Sequence, residues 1–161
     1  MLERLDARTG AVRAETPLGS RSHTHDIAVT VDSVWVTSTL QNVVWRVSRA
    51  TNRIVKRIPV AAPTAIAAAS HAVWVASQAD DAVWKIDAAT NLGREIPAGD
   101  APIDVAVGGG AVWVANWRAG TVTRIDPTRK ILGATIAVAP RVSAVEWARG
   151  QLWVVAPERT P

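Results

Sequence analysis

The sequence predicts an all-β fold in which one four-stranded antiparallel unit recurs along the chain. Three observations predict it. Trp35, Trp74, Trp113 and Trp153 each centre a Val-Trp-Val or Leu-Trp-Val triplet, at spacings of 39, 39 and 40 residues. A branched aliphatic residue stands eight positions before each of them: Ile27, Ile66, Val105 and Val145. Each unit reads as four short runs rich in Val, Ile, Thr and Trp, parted by turn residues, with no sustained helical period. Four strands in about 40 residues make the blade of a β-propeller. A solenoid needs shorter coils, and a sandwich does not repeat its sequence so faithfully.

Lettering the strands A to D outward from the central axis places each element. Strand A is expected near 27–31, 65–69, 103–107 and 142–147, and strand B is the tryptophan triplet. Strand C follows as Val43 to Val47, Ala82 to Ile86 and Thr121 to Ile125. Ser48, Asp87 and Asp126 then open turns. Strand D closes each unit at Ile54 to Ile58, Leu92 to Ile96 and Ile131 to Val138. Pro63, Pro102 and Gly108 to Gly110 fall between runs, where they punctuate. Met1 to Asp6 aligns with a C strand, Thr9-Gly10 with its turn, and Ala11 to Leu18 with a D strand. The expected domain is therefore one propeller segment over 1–161. It holds a C–D half blade (1–18), whole blades at 27–58, 65–96 and 103–138, and an A–B half blade (142–155). The two half blades can pair with each other and close a four-bladed ring. Alternatively the chain is part of a larger propeller, or a half that dimerises into an eight-bladed ring.

Composition bounds the chemistry. With 48% hydrophobic and 20% charged residues, 161 residues suffice for a core. The absence of cysteine excludes disulfides, thiolate metal sites and cysteine nucleophiles. No apolar run approaches the roughly 18 residues of a membrane span. No leader is visible, so a cytoplasmic location is the default expectation, with secretion open if residues precede Met1. The net charge of +4 comes from arginines spread from Arg4 to Arg159 with no block, which reads as solvated surface and not as a nucleic-acid footprint.

The third unit carries a family resemblance. Pro102 to Val107, Val112-Trp113-Val114-Ala115-Asn116 and Gly120-Thr121-Val122-Thr123-Arg124-Ile125-Asp126 resemble the YVTN repeat of the YncE-type β-propellers. That resemblance implies a propeller of six to eight blades, and repeats of this kind often accompany bacterial signalling domains, so a sensor module of a larger regulator is one implied role. Thr24-His25-Asp26-Ile27 followed by Val34-Trp35-Val36-Thr37 is similar to a unit of the virginiamycin B lyases. Those seven-bladed enzymes open a cyclic depsipeptide by elimination, with a histidine base and magnesium. The resemblance carries over only His25 as a catalytic candidate. The family's acidic residue and companion histidine have no match here, and no cofactor other than that magnesium is implied.

A binding site is expected on the face that collects the D–A and B–C loops, at the mouth of the channel. It gathers His23, His25, Asp26, Gln41, Asn42, Gln78, Asp80, Asp81, Asp104, Trp117 and Arg118. Aligned on the triplet tryptophans, Asp26 corresponds to Ala65, Asp104 and Ala144, and His25 to Thr64, Ile103 and Ser143. The strands persist while this rim varies, which is how a repeated scaffold acquires an asymmetric site. His23, His25 and Asp26 form the densest group. In an extended segment the two imidazoles share one side and the carboxylate takes the other. Small Ala28, Ala67 and Ala106 suit a crowded inner strand, and the triplet tryptophans suit packing between blades. Enzyme signatures such as a nucleophile elbow or phosphate loop are absent. The expected function is a non-catalytic scaffold for a small molecule or protein, with the lyase as alternative.

Overall fold

The computed structural model of the chain describes residues 1–19, 23–129 and 131–158, and it is built of strands and turns. The first hairpin pairs β1 (Leu2–Leu5) with β2 (Val12–Thr16). Three four-stranded sheets follow in meander order. Blade 1 holds β3 (Thr24–Val29), β4 (Ser33–Ser38), β5 (Val43–Ser48) and β6 (Ile54–Pro59). Blade 2 holds β7 (Pro63–Ala68), β8 (Ala72–Ser77), β9 (Ala82–Asp87) and β10 (Gly93–Pro97). Blade 3 holds β11 (Pro102–Gly108), β12 (Ala111–Asn116), β13 (Thr121–Asp126) and β14 (Ile131–Ala137). The last hairpin pairs β15 (Ala144–Ala148) with β16 (Gln151–Val155).

Turn chemistry explains why these segments fold locally. The C–D turns are held by side-chain acceptors. Asp87 Oδ1 accepts from the backbone N–H of Ala89 and Thr90, and Asp126 Oδ1 from those of Thr128 and Arg129. Asp6 does the same with Arg8 and Thr9 in the first hairpin. These bonds favour the ionised form. The carboxyls of Asp6 (through Arg13 first), Asp87 (through Thr90) and Asp126 (through Arg129) all lie below the ordinary value. Asn52 and Asn91 then take the left-handed conformation that asparagine tolerates.

The inner strands begin earlier than the residue pattern predicts, at Thr24, Pro63 and Pro102 instead of 27, 65 and 103. The cause is an irregularity repeated in all three blades. Register shifts between Thr24 and Ile27, between Pro63 and Ile66, and between Pro102 and Asp104 let the A strand continue past a bulge. His25 and Asp26 therefore sit within an A strand and not in the loop before it, while Asp104 lies in the A strand expected over 103–107.

The core lies between blades. Trp35 packs with Ile66, Val73, Val75 and Ile86 of blade 2, and Trp74 with Val105, Val112, Val114 and Ile125 of blade 3. Trp113 stacks on Trp147 with ring centroids 5.8 Å apart and planes 5° from parallel. Gly108 and Gly109 make room for that stack, since a Cβ on either would collide with the Trp147 ring. Each B-strand tryptophan thus faces the next blade. Trp153 is the exception to the expected inter-blade burial: it is 60% exposed, because no blade packs beyond it.

The half blades do not pair with each other. β1–β2 and β15–β16 remain separate two-stranded sheets at opposite ends of the arc. The closed four-bladed ring is therefore not the arrangement of this chain. The first hairpin covers the outer part of blade 1, with Leu2 and Leu18 against Val36, Val43, Trp45 and Val47. The last hairpin packs on the inner part of blade 3, with Val145, Leu152 and Val154 near Ala106, Ala115 and Val122.

Candidate functional site

The A strands wall a groove of about 490 Å³ on the inner side of the arc. Among the described residues its lining presents mainly polar surface, with three carboxylates, Asp26, Asp104 and Glu146, and no cationic side chain. Asp26 Oδ1 accepts from its neighbour Ile27 N–H at 2.8 Å, and Oδ2 from Ile66 N–H of the next blade at 2.9 Å. Asp104 repeats the device one blade further on, with Val105 N–H and Val145 N–H, both at 2.8 Å. Each carboxylate joins two adjacent A strands, accepting from the residue that follows it and from the equivalent of that residue one blade on. Blade 2 carries Ala65 at the same repeat position.

Burial pushes the Asp104 carboxyl above the ordinary range, against the two N–H donors that pull it down. The nearby charges of Asp26 and Glu146 push the same way as burial. The folded chain thus holds this proton more tightly than the unfolded chain does. Its contribution to stability is full below about pH 3.8 and is lost as pH rises through the raised folded value. Asp104→Asn does not titrate. Urea midpoints should therefore move in favour of the variant, relative to wild type, as pH rises from 3.8 towards neutrality. A difference that stays constant over that range would contradict the assignment.

The remaining rim residues are distributed by blade. His23 and His25 are exposed, with ring centroids 4.9 Å apart, so the imidazoles do share one side as an extended segment requires. Asn42 and Asp81 occupy equivalent left-handed turn positions. Their side-chain oxygens accept from Ala62 N–H and Ala101 N–H, both at 2.8 Å. These two side chains fasten the B–C turn to the D–A connection. Gln41 Oε1 lies 3.4 Å from the Ser38 hydroxyl, and Asp80 Oδ2 accepts from Ser77 Oγ and Trp84 Nε1. Gln78 and Trp117 donate backbone N–H to Ala62 O and Ala101 O. The half-buried Trp117 ring has the Arg141 guanidinium 5.8 Å from its centroid, and exposed Arg118 pairs with Asp100 at 2.7 Å.

Glu146 was not singled out by the sequence reading. The repeat holds the signal, since Glu146 occupies the position of Ala28, Ala67 and Ala106. Among the described residues no group of three or more His, Cys, Asp or Glu side chains is placed to hold a metal ion. No helix among the described residues is long and apolar enough to cross a membrane.

Meandering four-stranded antiparallel sheets, packed face to face around an inner groove, define the class: the chain folds as β-propeller blades. Solved structures share this fold. The virginiamycin B lyase from Staphylococcus aureus is 17% identical with a TM-score of 0.78, over 94% of this chain and 54% of that one. The RRP9 WD40 repeats are 12% identical with a TM-score of 0.71, over 80% and 43%. The computationally designed Ika4 protein is 13% identical with a TM-score of 0.74, over 88% and 97%. The chain spans about half the length of the lyase. No family model and no curated protein sequence matches the chain.

Proposed function

We propose that the chain is a non-catalytic binding scaffold whose inner groove accepts a cationic group, an amine or guanidinium carried by a small molecule or a protein side chain. The observation that carries this reading is the groove lining: three carboxylates and, among the described residues, no positive charge, in a chain whose net charge is +4. A cleft lined by one sign of charge concentrates ligands of the other sign. The varied rim, from His23 and His25 to Trp117 and Arg118, supports selectivity around that anchor.

The test is a titration of isotopically labelled protein with alkylamines, guanidines and their neutral isosteres, followed at the Ile66 and Val145 amides. These amides report on Asp26 and Asp104 directly. Cationic compounds should shift both signals, and Glu146→Gln should weaken binding several-fold. Equal response to the neutral isosteres would sink the proposal. Turnover of a cyclic depsipeptide that disappears in His25→Ala would replace it with the lyase reading.

A further inference from the structure

The two ends of the arc present the two halves of an interface that the chain already builds internally. At the trailing end Trp153 is 60% exposed and Val155 59%, whereas Trp35 and Trp74, at the same repeat position as Trp153, are fully buried by the blade that follows them. At the leading end Ile27 is 55% exposed and Val29 52%. The residues equivalent to Ile27 are covered by the preceding blade: Ile66 is 4% exposed, Val105 6% and Val145 4%. What is missing in front of blade 1 is therefore an inner A–B hairpin carrying a tryptophan triplet, to complete the half blade β1–β2. A cleft of about 940 Å³ lined by Leu2, Arg4, Ile27, Val29 and Val34 lies where that hairpin would sit. The hairpin β15–β16 is such an element, and within one chain it lies at the far end of the arc, in a sheet of its own.

The strand edges match in the same way. In every blade the B-strand tryptophan sits opposite a C-strand cation: Trp35 with Arg46, Trp74 with Lys85 and Trp113 with Arg124. Each cation lies over its ring, at 5.0, 5.1 and 5.8 Å from the centroid. Repeat alignment makes Arg4 the C-strand cation of the first hairpin, since Leu2-Glu3-Arg4-Leu5-Asp6 matches Val83-Trp84-Lys85-Ile86-Asp87.

We infer that two copies of this chain associate head to tail. β16 of each pairs antiparallel with β1 of the other, in the register Trp153 opposite Arg4 and Leu152 opposite Leu5. The two A–B and C–D halves then become two whole blades. With three blades from each copy, the ring has eight blades and no open edge. Both acidic grooves face one channel, so the site described above is incomplete without the second copy. The pairing stands on packing alone and does not depend on what the groove binds.

Directly opposed residues in an antiparallel pair have Cα atoms about 4.5–5.5 Å apart, within disulfide range. The chain contains no cysteine, so a designed pair is unambiguous. Light scattering should give twice 17.1 kDa for the native chain. Arg4→Cys and Trp153→Cys chains, mixed and oxidised, should give a disulfide-linked dimer, and the double variant a dimer with both links. Trp153→Asp should raise the dimer dissociation constant at least about 100-fold, the scale set by losing a buried aromatic anchor. Far-UV circular dichroism should stay native, since Trp153 is exposed in the single chain. A native chain at 17.1 kDa with unlinked thiols in the variants would overturn the inference. A double variant that links within one chain would do the same.

Discussion

Trp74→Ala is expected to cost about 3–5 kcal/mol, the range for removing a large buried aromatic side chain. The indole is fully buried between blade 2 and blade 3, against Val105, Val112, Val114 and Ile125. Its other partner is the ammonium of Lys85, 5.1 Å from the ring centroid. Truncation leaves a cavity that rigid sheets on both sides cannot close, because each is locked by its own ladder of hydrogen bonds. The cost is a large share of the 5–15 kcal/mol that holds a typical domain together. Urea denaturation followed by far-UV circular dichroism would measure it. A loss below about 1 kcal/mol would show that the blades do not depend on this ring. Trp153→Ala in a dilute, monomeric sample is the internal control. The same residue type at the same repeat position is exposed there, and its removal should cost a few tenths of a kcal/mol.

Asn116→Leu is expected to cost about 2–4 kcal/mol, from buried polar groups left without partners. The Asn116 amide is fully buried at the end of β12. Its Oδ1 accepts from Gly99 N–H at 3.0 Å, and its Nδ2 donates to the hydroxyls of Thr121 and Thr123 at 3.1 and 2.8 Å. One side chain thereby ties the D–A connection to the B and C strands. Leucine fills a similar volume and satisfies none of these groups. Asn116→Ser should recover part of the loss, since Ser77 stands at the equivalent position in blade 2 and its hydroxyl lies 2.6 Å from Ala61 O and 2.7 Å from Asp80 Oδ2. Equilibrium unfolding of both variants tests this. If Leu and Ser cost the same, the hydrogen bonds are not what the position supplies.

Fold and strand order were legible because the repeat makes one pattern visible three times over. The triplet tryptophans, the aliphatic residue eight positions earlier, and the Ser48, Asp87 and Asp126 turns each land where the alignment of units puts them. The start of strand A was less legible. A bulge admits an extra residue without changing composition, so periodicity placed His25 and Asp26 in a loop although they lie in a strand. The site was legible only in outline. Asn42 and Asp81 read as candidate ligand groups because they are polar and vary between blades. Their oxygens accept backbone N–H groups across 20 residues, a use that no local pattern encodes.

The amino-acid sequence alone determined the blade, its strand order and the tryptophan that each B strand turns towards its neighbour. Those properties follow from local alternation, turn residues and repetition. Only the tertiary structure decided that the two half blades stay apart, that Glu146 joins Asp26 and Asp104 along one groove, and that Trp153 and Ile27 are uncovered. Strand pattern specifies what packs within a blade and on which face. How far successive blades rotate about the axis is set by packing between sheets, and that rotation determines whether the first and last strands of a chain can meet.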